Sequence, residues 1–173
     1  IPLRRYFPFL EEVIPIADFR AGEEYTLFSV ENKSGRLFRF GVLICFEDTL
    51  FMLARQFRLR GADFLVNITN DAWFKQSASP YQHLQASVFR AVENRMCVAR
   101  AANTGISCMI DDSGKIYNRL QDAGGKDIFV RGFLSGKIKA PIATSIYTRW
   151  GDWFVIACGA YAFTFLIYLR KKI

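Results

Sequence analysis

Histidine is almost missing from this chain, which carries one, His83, in 173 residues, and its four cysteines at 45, 97, 108 and 158 include no CxxC pair. Nothing here has metal-ligand spacing, so neither a zinc site nor any other metal or cofactor is expected. Low-complexity tracts and internal repeats are absent too. With 51% hydrophobic residues, the chain reads as a single folded domain able to bury a sizeable core.

Charge is missing locally. Trp153 to Leu169 reads WFVIACGAYAFTFLIYL without one charged residue, and Arg170-Lys171-Lys172 follow at once. At about 1.5 Å per residue this run covers about 25 Å, the short end of a bilayer span. Trp150, Trp153 and Tyr168 stand at its two ends as interfacial aromatics. A membrane anchor over residues 150–173 is therefore expected. The alternative is a buried core helix, which three consecutive cations after such a stretch disfavour. The positive-inside rule places the basic end in the cytoplasm and residues 1–149 across the membrane from it.

Dense basic tracts are also lacking, although the net charge is +7. Arg4-Arg5, Arg55, Arg58, Arg60 and the terminal cations are scattered, with no interleaved aromatic-basic module, so nucleic acid is not an expected partner. Attraction to anionic lipid head groups and a merely solvated basic surface both remain open.

Against these scarcities, one position gathers chemistry. Cys45 ends the apolar run Phe40-Gly41-Val42-Leu43-Ile44 and stands directly before Phe46-Glu47-Asp48. A strand fixes its last side chain rigidly, and a helix beginning near Thr49 aims its first N–H groups at whatever the sulfur attacks. Of the other cysteines, Cys97 and Cys108 lie in apolar, strand-like contexts, either paired or as free buried thiols, and Cys158 lies in the anchor.

The periodicity gives an α/β order. A strand over Arg36–Ile44 precedes a helix on Leu50, Leu53, Ala54 and Phe57 that Gly61 closes, and Phe64–Ile68 is a second strand. A polar loop from Asn70 to Ser79 carries Trp73-Phe74. Ser79 as cap and Pro80 in the first turn open a helix with Leu84, Val88, Ala91 and Val92 on one face and Gln82, Gln85, Arg90 and Glu93 elsewhere. That helix is expected to end near Met96. Strands follow at Val98–Ala101, Gly105–Ile110 and Ile128–Phe133, with Asp111–Gly114 as a hairpin turn.

The segments GVLICFED (41–48), GADFLVNITNDAWF (61–74), QHLQASVFRAVENR (82–95) and ARAANTGISCMIDDSGKI (99–116) resemble successive motifs of the nitrilase, or carbon-nitrogen hydrolase, superfamily. Tyr147 to Trp153, leading into the apolar run, is similar to the end of its membrane branch, the apolipoprotein N-acyltransferases. The resemblance covers nearly the whole chain. It implies residues 1–149 as the C-terminal portion of an α-β-β-α sandwich, with a single transmembrane helix after it. It also implies a bacterial cytoplasmic-membrane enzyme with its catalytic domain on the periplasmic face. The donor would be a phospholipid, the carrier a cysteine thioester, and the acceptor the N-terminal amine of a diacylglyceryl-cysteine lipoprotein.

By the same resemblance Cys45 matches the nucleophile, and the Phe46 amide matches an oxyanion donor where the family often has tyrosine. Glu47 matches a glutamate beside the cysteine, as part of the site's polar network or as a structural carboxylate at a helix start. Trp73 matches a pocket-side tryptophan that either guides acyl chains or packs on its loop. Lys75 stands where the family usually has glycine. His83 matches a structural position, so no Cys-His dyad is expected, and Asn103-Thr104-Gly105 is read as a turn in which Gly105 supplies backbone freedom.

Ile1 to Tyr6 resembles the stretch just after the family's lysine, which puts that lysine and the glutamate base ahead of residue 1; Glu11, Glu12 and Lys33 follow this landmark and do not replace them. Without a base an ordinary thiol, pKa about 8.5, is mostly protonated at neutral pH, so these 173 residues alone are expected to transfer no acyl chain. A membrane-tethered amidase and a non-catalytic membrane-anchored interaction domain are the alternatives.

Overall fold

The structure, a computed structural model, describes residues 22–170. Arg4-Arg5, the Ile1–Tyr6 landmark, Glu11, Glu12 and Lys171-Lys172 lie outside the described residues.

The elements run β1 (Phe28–Glu31), β2 (Leu37–Ile44), α1 (Phe51–Leu59), β3 (Phe64–Asn70), α2 (Ser79–Asn94), β4 (Cys97–Asn103), β5 (Cys108–Ile110), β6 (Ile116–Arg119), α3 (Ile146–Trp150) and α4 (Trp153–Arg170). The six strands form one mixed sheet in chain order. β2, β3 and β4 are parallel at its centre, joined by α1 and α2, while β1, β5 and β6 are antiparallel additions. This α/β architecture agrees with the expected class, and a sheet with helices on one face is one α-β half of the expected sandwich.

The period-two alternation of a strand decides what each face holds. Gly41, Leu65 and Val98 share one register row and Leu43, Asn67 and Arg100 the next. Leu43, Leu65 and Val98 pack with Ala54 and Phe57 of α1 and with Leu84 and Ala91 of α2. Gly41 lets α1 approach, since a Cβ there would lie 2.4 Å from the Phe57 ring. On the opposite face Ile44 and Ile68 are 58% and 44% exposed. Phe28, Phe40 and Phe64 stack in sequence across β1, β2 and β3 at 5.5 and 5.0 Å.

Four sequence expectations are corrected. Residues 128–133 are not a strand, because Phe129 has φ +57 and its amide donates to the Thr104 carbonyl at 2.9 Å. The strand antiparallel to β5 is β6 instead. The strand expected over Gly105–Ile110 is shortened to Cys108–Ile110, because Thr104 turns the chain at φ +60 and Ser107 Oγ accepts from the Ala102 amide at 3.0 Å. Ser79 is not the cap of α2: Ala78 occupies that position without a side-chain bond. Arg90, placed on the polar side of α2, is buried at 7% exposure, whereas Val92 is 38% exposed.

The hairpin at Asp111–Gly114 forms as expected, with Asp111 Oδ1 accepting from the Ser113 and Lys115 amides, each at 2.9 Å. Cys97 and Cys108 are free and buried, and desolvation pushes the Cys108 thiol up to about 11.

Candidate active site

Parallel pairing brings the C-terminal ends of β2, β3 and β4 to one edge of the sheet, and Cys45 is the first residue beyond β2. There the chain turns sharply into a 3-10 segment, Cys45–Thr49, with Cys45 at φ +51. An L-residue in the left-handed region costs on the order of 1–2 kcal/mol, so its neighbours must hold it. Asn67 Nδ2 donates to the carbonyls of Leu43 and Cys45, both at 3.2 Å. Glu47 Oε2 accepts from the Ile44 amide at 2.7 Å, and Thr49 Oγ1 donates to the Phe46 carbonyl at 2.7 Å. The result is a half-buried thiol on a clamped elbow. The first N–H groups of the 3-10 turn, that of Phe46 among them, have no acceptor within the turn.

Beneath the elbow lies a buried charged cluster drawn from the 3-10 turn, the end of β3, α2 and β4. Asp48 is fully buried and accepts from Ser87 Oγ at 2.6 Å and from Arg100 Nη1 at 2.8 Å. Its other oxygen lies 3.0 Å from His83 Nε2, and His83 Nδ1 lies 2.8 Å from Asp71 Oδ1. Arg100 also donates to Asn67 Oδ1 at 2.6 Å, Ser87 Oγ at 3.0 Å and Asp71 Oδ2 at 3.3 Å. Arg90 Nη1 donates to the carbonyls of Asp48 and Thr49, both at 3.2 Å.

This geometry fixes protonation. Burial is the largest influence on His83 and lowers its affinity for a proton, yet the hydrogen bonds to Asp48 and Asp71 outweigh it and raise the pKa to about 9. Burial likewise works to raise the Asp71 carboxyl, but His83 and Arg100 together leave it below the usual carboxylate range. At neutral pH His83 therefore stands protonated between Asp48 and Asp71, with the Arg100 guanidinium reaching both carboxyl groups. Gly105 belongs to the same design: a Cβ there would sit 2.1 Å from Asp71 Oδ2, so glycine is needed for space, while Thr104 takes the positive φ. That corrects the expected role of Gly105.

Phe46 couples the cluster to the surface. Its ring stacks on His83 at 4.9 Å, and Phe74 contacts both rings edge-on at 5.9 and 6.0 Å. Cys45, Phe46 and Glu47 thus stand together on the elbow, with His83 below as a doubly hydrogen-bonded support. Trp73 is 87% exposed on the short turn Ala72–Phe74 and makes no ring contact among the described residues. Lys75 ends that turn at φ +51 and ψ −148, a conformation that glycine adopts more readily. A cavity of about 610 Å³, lined by Val42, Ile44, Leu53, Phe57, Ile68 and the Glu47 carboxylate among others, opens beside the elbow.

Sequence reasoning did not find Asn67, Asp71, Ser87 or Arg100, and it named Asp48 only as a carboxylate following the cysteine. The available signal was Arg100, a cation in the same alternating set as Val98 and therefore on the inward face of its strand. Among the described residues no group of three or more His, Cys, Asp or Glu side chains forms a metal site.

A half-buried cysteine on a strained strand-to-helix elbow, with a buried charge cluster behind it, makes this an α/β protein whose candidate site is a thiol. The carbon-nitrogen hydrolase model matches residues 3–131, and the chain belongs to that family. It is 39% identical over 176 residues to the apolipoprotein N-acyltransferase of Geobacter metallireducens, covering 100% of this chain and 32% of that protein. To apolipoprotein N-acyltransferase 1 of Treponema pallidum it is 37% identical over 157 residues, covering 87% and 26%. The chain thus spans between about a quarter and a third of the length of the curated relatives it matches. Saccharomyces cerevisiae Nit3, of the nitrilase superfamily, is a looser likeness at TM-score 0.45 and 24% identity, covering 58% of this chain and 38% of that one.

Proposed function

We propose that Cys45 is the acyl-carrying nucleophile of a membrane-bound N-acyltransferase that moves a chain from a phospholipid to the N-terminal amine of a diacylglyceryl-cysteine lipoprotein. The clamped, positive-φ elbow carries this reading, and the 39% identity across the whole chain to a named apolipoprotein N-acyltransferase supports it.

In the first half-reaction the thiol gives its proton to a base and the sulfur attacks the ester carbonyl carbon. The Phe46 amide donates to the developing oxyanion. The carbon–oxygen bond breaks, the lysophospholipid hydroxyl leaves with a proton, and a thioester remains. In the second, the acceptor amine attacks the thioester carbon, the carbon–sulfur bond breaks, and a proton returns to sulfur. Glu47 holds the elbow through the Ile44 amide, the apolar lining beside it suits a hydrocarbon chain, and exposed Trp73 offers an apolar face to incoming lipid.

Residues 1–149 form the catalytic portion on this reading, and 150–173 the anchor. Trp153–Arg170 is long and apolar enough to cross a membrane by length and composition, and none of it is buried. The site then faces the periplasm from the bacterial cytoplasmic membrane. On this reading the thiol gives its proton to a base, and among the described residues none hydrogen-bonds the Cys45 sulfur.

Full-length protein incubated with phospholipid and quenched in acid should carry a long-chain acyl adduct on Cys45 by peptide mass spectrometry, absent in Cys45→Ala. An unmodified Cys45, together with ammonia released from small amides, would reassign the site to a membrane-tethered amidase. Neither product would leave the non-catalytic interaction domain.

A further inference from the structure

The corner where α3 meets α4 is built more firmly than a linker needs to be. Ser145 Oγ accepts from the Thr148 amide at 2.9 Å and donates to the Glu93 carbonyl at the end of α2. Thr148 Oγ1 reaches Asn94 Oδ1 at 3.1 Å. From α1, Arg55 donates to the carbonyls of Thr148 at 2.9 Å, Arg149 at 3.2 Å and Tyr147 at 3.3 Å. Gly151 then turns the chain at φ +62, and α4 starts two residues later.

In this corner opens a cavity of about 430 Å³, lined by Thr144, Ile146, Arg149, Trp150 and Trp153. Its one cation is Arg149. Arg55 and Arg58 give their N–H groups to carbonyls, whereas the Arg149 guanidinium has no hydrogen bond or ion pair among the described residues, not even with Asp152 three positions on. Ile146 and Trp150 are 66% and 70% exposed.

We propose that this cavity binds the phosphodiester headgroup of a membrane phospholipid that is not consumed in the reaction. The inference rests on the reading of Trp153–Arg170 as a membrane span. The cavity then lies at the boundary where that span begins, the depth at which lipid phosphates stand and indoles are favoured. A guanidinium forks onto two phosphate oxygens, while Thr144 offers a hydroxyl. Trp150, Trp153 and Ile146 cover the glycerol and the first methylenes of the chains. Free phosphate would satisfy Arg149 alone and leave both indoles in water. The fit therefore favours an amphiphile. A lipid held here pins the corner at a fixed depth.

The test uses full-length protein, delipidated in detergent and carrying Cys45→Ala so that no acyl transfer intervenes. Short-chain phosphatidylglycerol is titrated while bound lipid is counted by native mass spectrometry. One retained lipid that depends on Arg149 is expected, apart from any donor held beside Cys45, with retention of that lipid at least about ten-fold weaker in Arg149→Gln and in Trp150→Ala, at unchanged thermal midpoints. Equal retention in Arg149→Gln would overturn the proposal. So would displacement by glycerol phosphate at the lipid's own concentration, which would make the cavity a phosphate site. Carbonate extraction reports separately on the span, and the Cys45 adduct on the chemistry. Retention that depends on Arg149, together with an unmodified Cys45 in the protein that keeps the cysteine, would sink the proposed reaction and leave the lipid site standing.

Discussion

Two corners of the molecule are held by arginines, and they are held differently. At the Cys45 elbow, Arg100 is buried against two carboxylates, a hydroxyl and an amide drawn from three other elements. At the α3 corner, Arg55 reaches three consecutive carbonyls at the end of one short helix. The first is an ionic network, in which each charge is affordable only because its partners are present. The second is a cap, whose acceptors can turn to water if the arginine leaves. A reacting atom that needs a sub-ångström position is set on the network, and a junction that needs only direction is set on the cap.

The widest gap between the corners should appear on deleting each arginine. Arg100→Met strands Asp48 and Asp71 as buried carboxylates and is expected to cost about 3–5 kcal/mol. Arg55→Met should cost about 1–3 kcal/mol, as loss of hydrogen bonds from a charged donor. Urea midpoints of the two variants measure this. A double-mutant cycle sharpens it: Asp48→Asn should couple strongly to Arg100→Met and add independently to Arg55→Met. Equal costs, or coupling at both corners, would erase the distinction.

A smaller effect separates the corners by pH. The folded pKa of His83 is raised to about 9 from the ordinary imidazole value of 6.5, so its contribution to stability is complete below about 6.5 and is lost as pH rises through about 9. Unfolding free energies from pH 6 to 10 should fall more steeply for the wild type than for His83→Gln. Parallel profiles would show the imidazole to be neutral when folded.

The smallest change is local. Lys75 holds φ +51, and Lys75→Gly should raise stability by about 1 kcal/mol, the relief of strain offset partly by glycine's entropy. A thermal midpoint that drops instead would mean that the lysine side chain holds the turn.

The central β2–α1–β3–α2–β4 unit was legible because burial on one side imposes a period that composition reveals. β1 was not. Phe28–Glu31 is exposed along its whole length and carries no inside-outside contrast. Residues 128–133 looked like a strand because Ile128 and Val130 are apolar, but a positive φ at Phe129 is invisible in a residue type that rarely adopts it. At the site, Cys45, Phe46 and Glu47 were read from contiguous residues. The cluster beneath them joins Asp48 to His83, Ser87 and Arg100 across 35, 39 and 52 positions, a proximity only the fold creates. Trp73 was expected beside the pocket from its match to a family tryptophan, and it is Phe74, and not Trp73, whose ring touches Phe46.

Gly151 and Asp152 are all that separate α3 from α4. Two residues reach at most about 7 Å when stretched. On the membrane reading proposed above, that is a leash too short for the domain to lift off and sample the periplasm. A bulky acceptor would then have to travel in the plane of the bilayer to find the thiol, so that encounter becomes a two-dimensional search whose rate follows lipid fluidity.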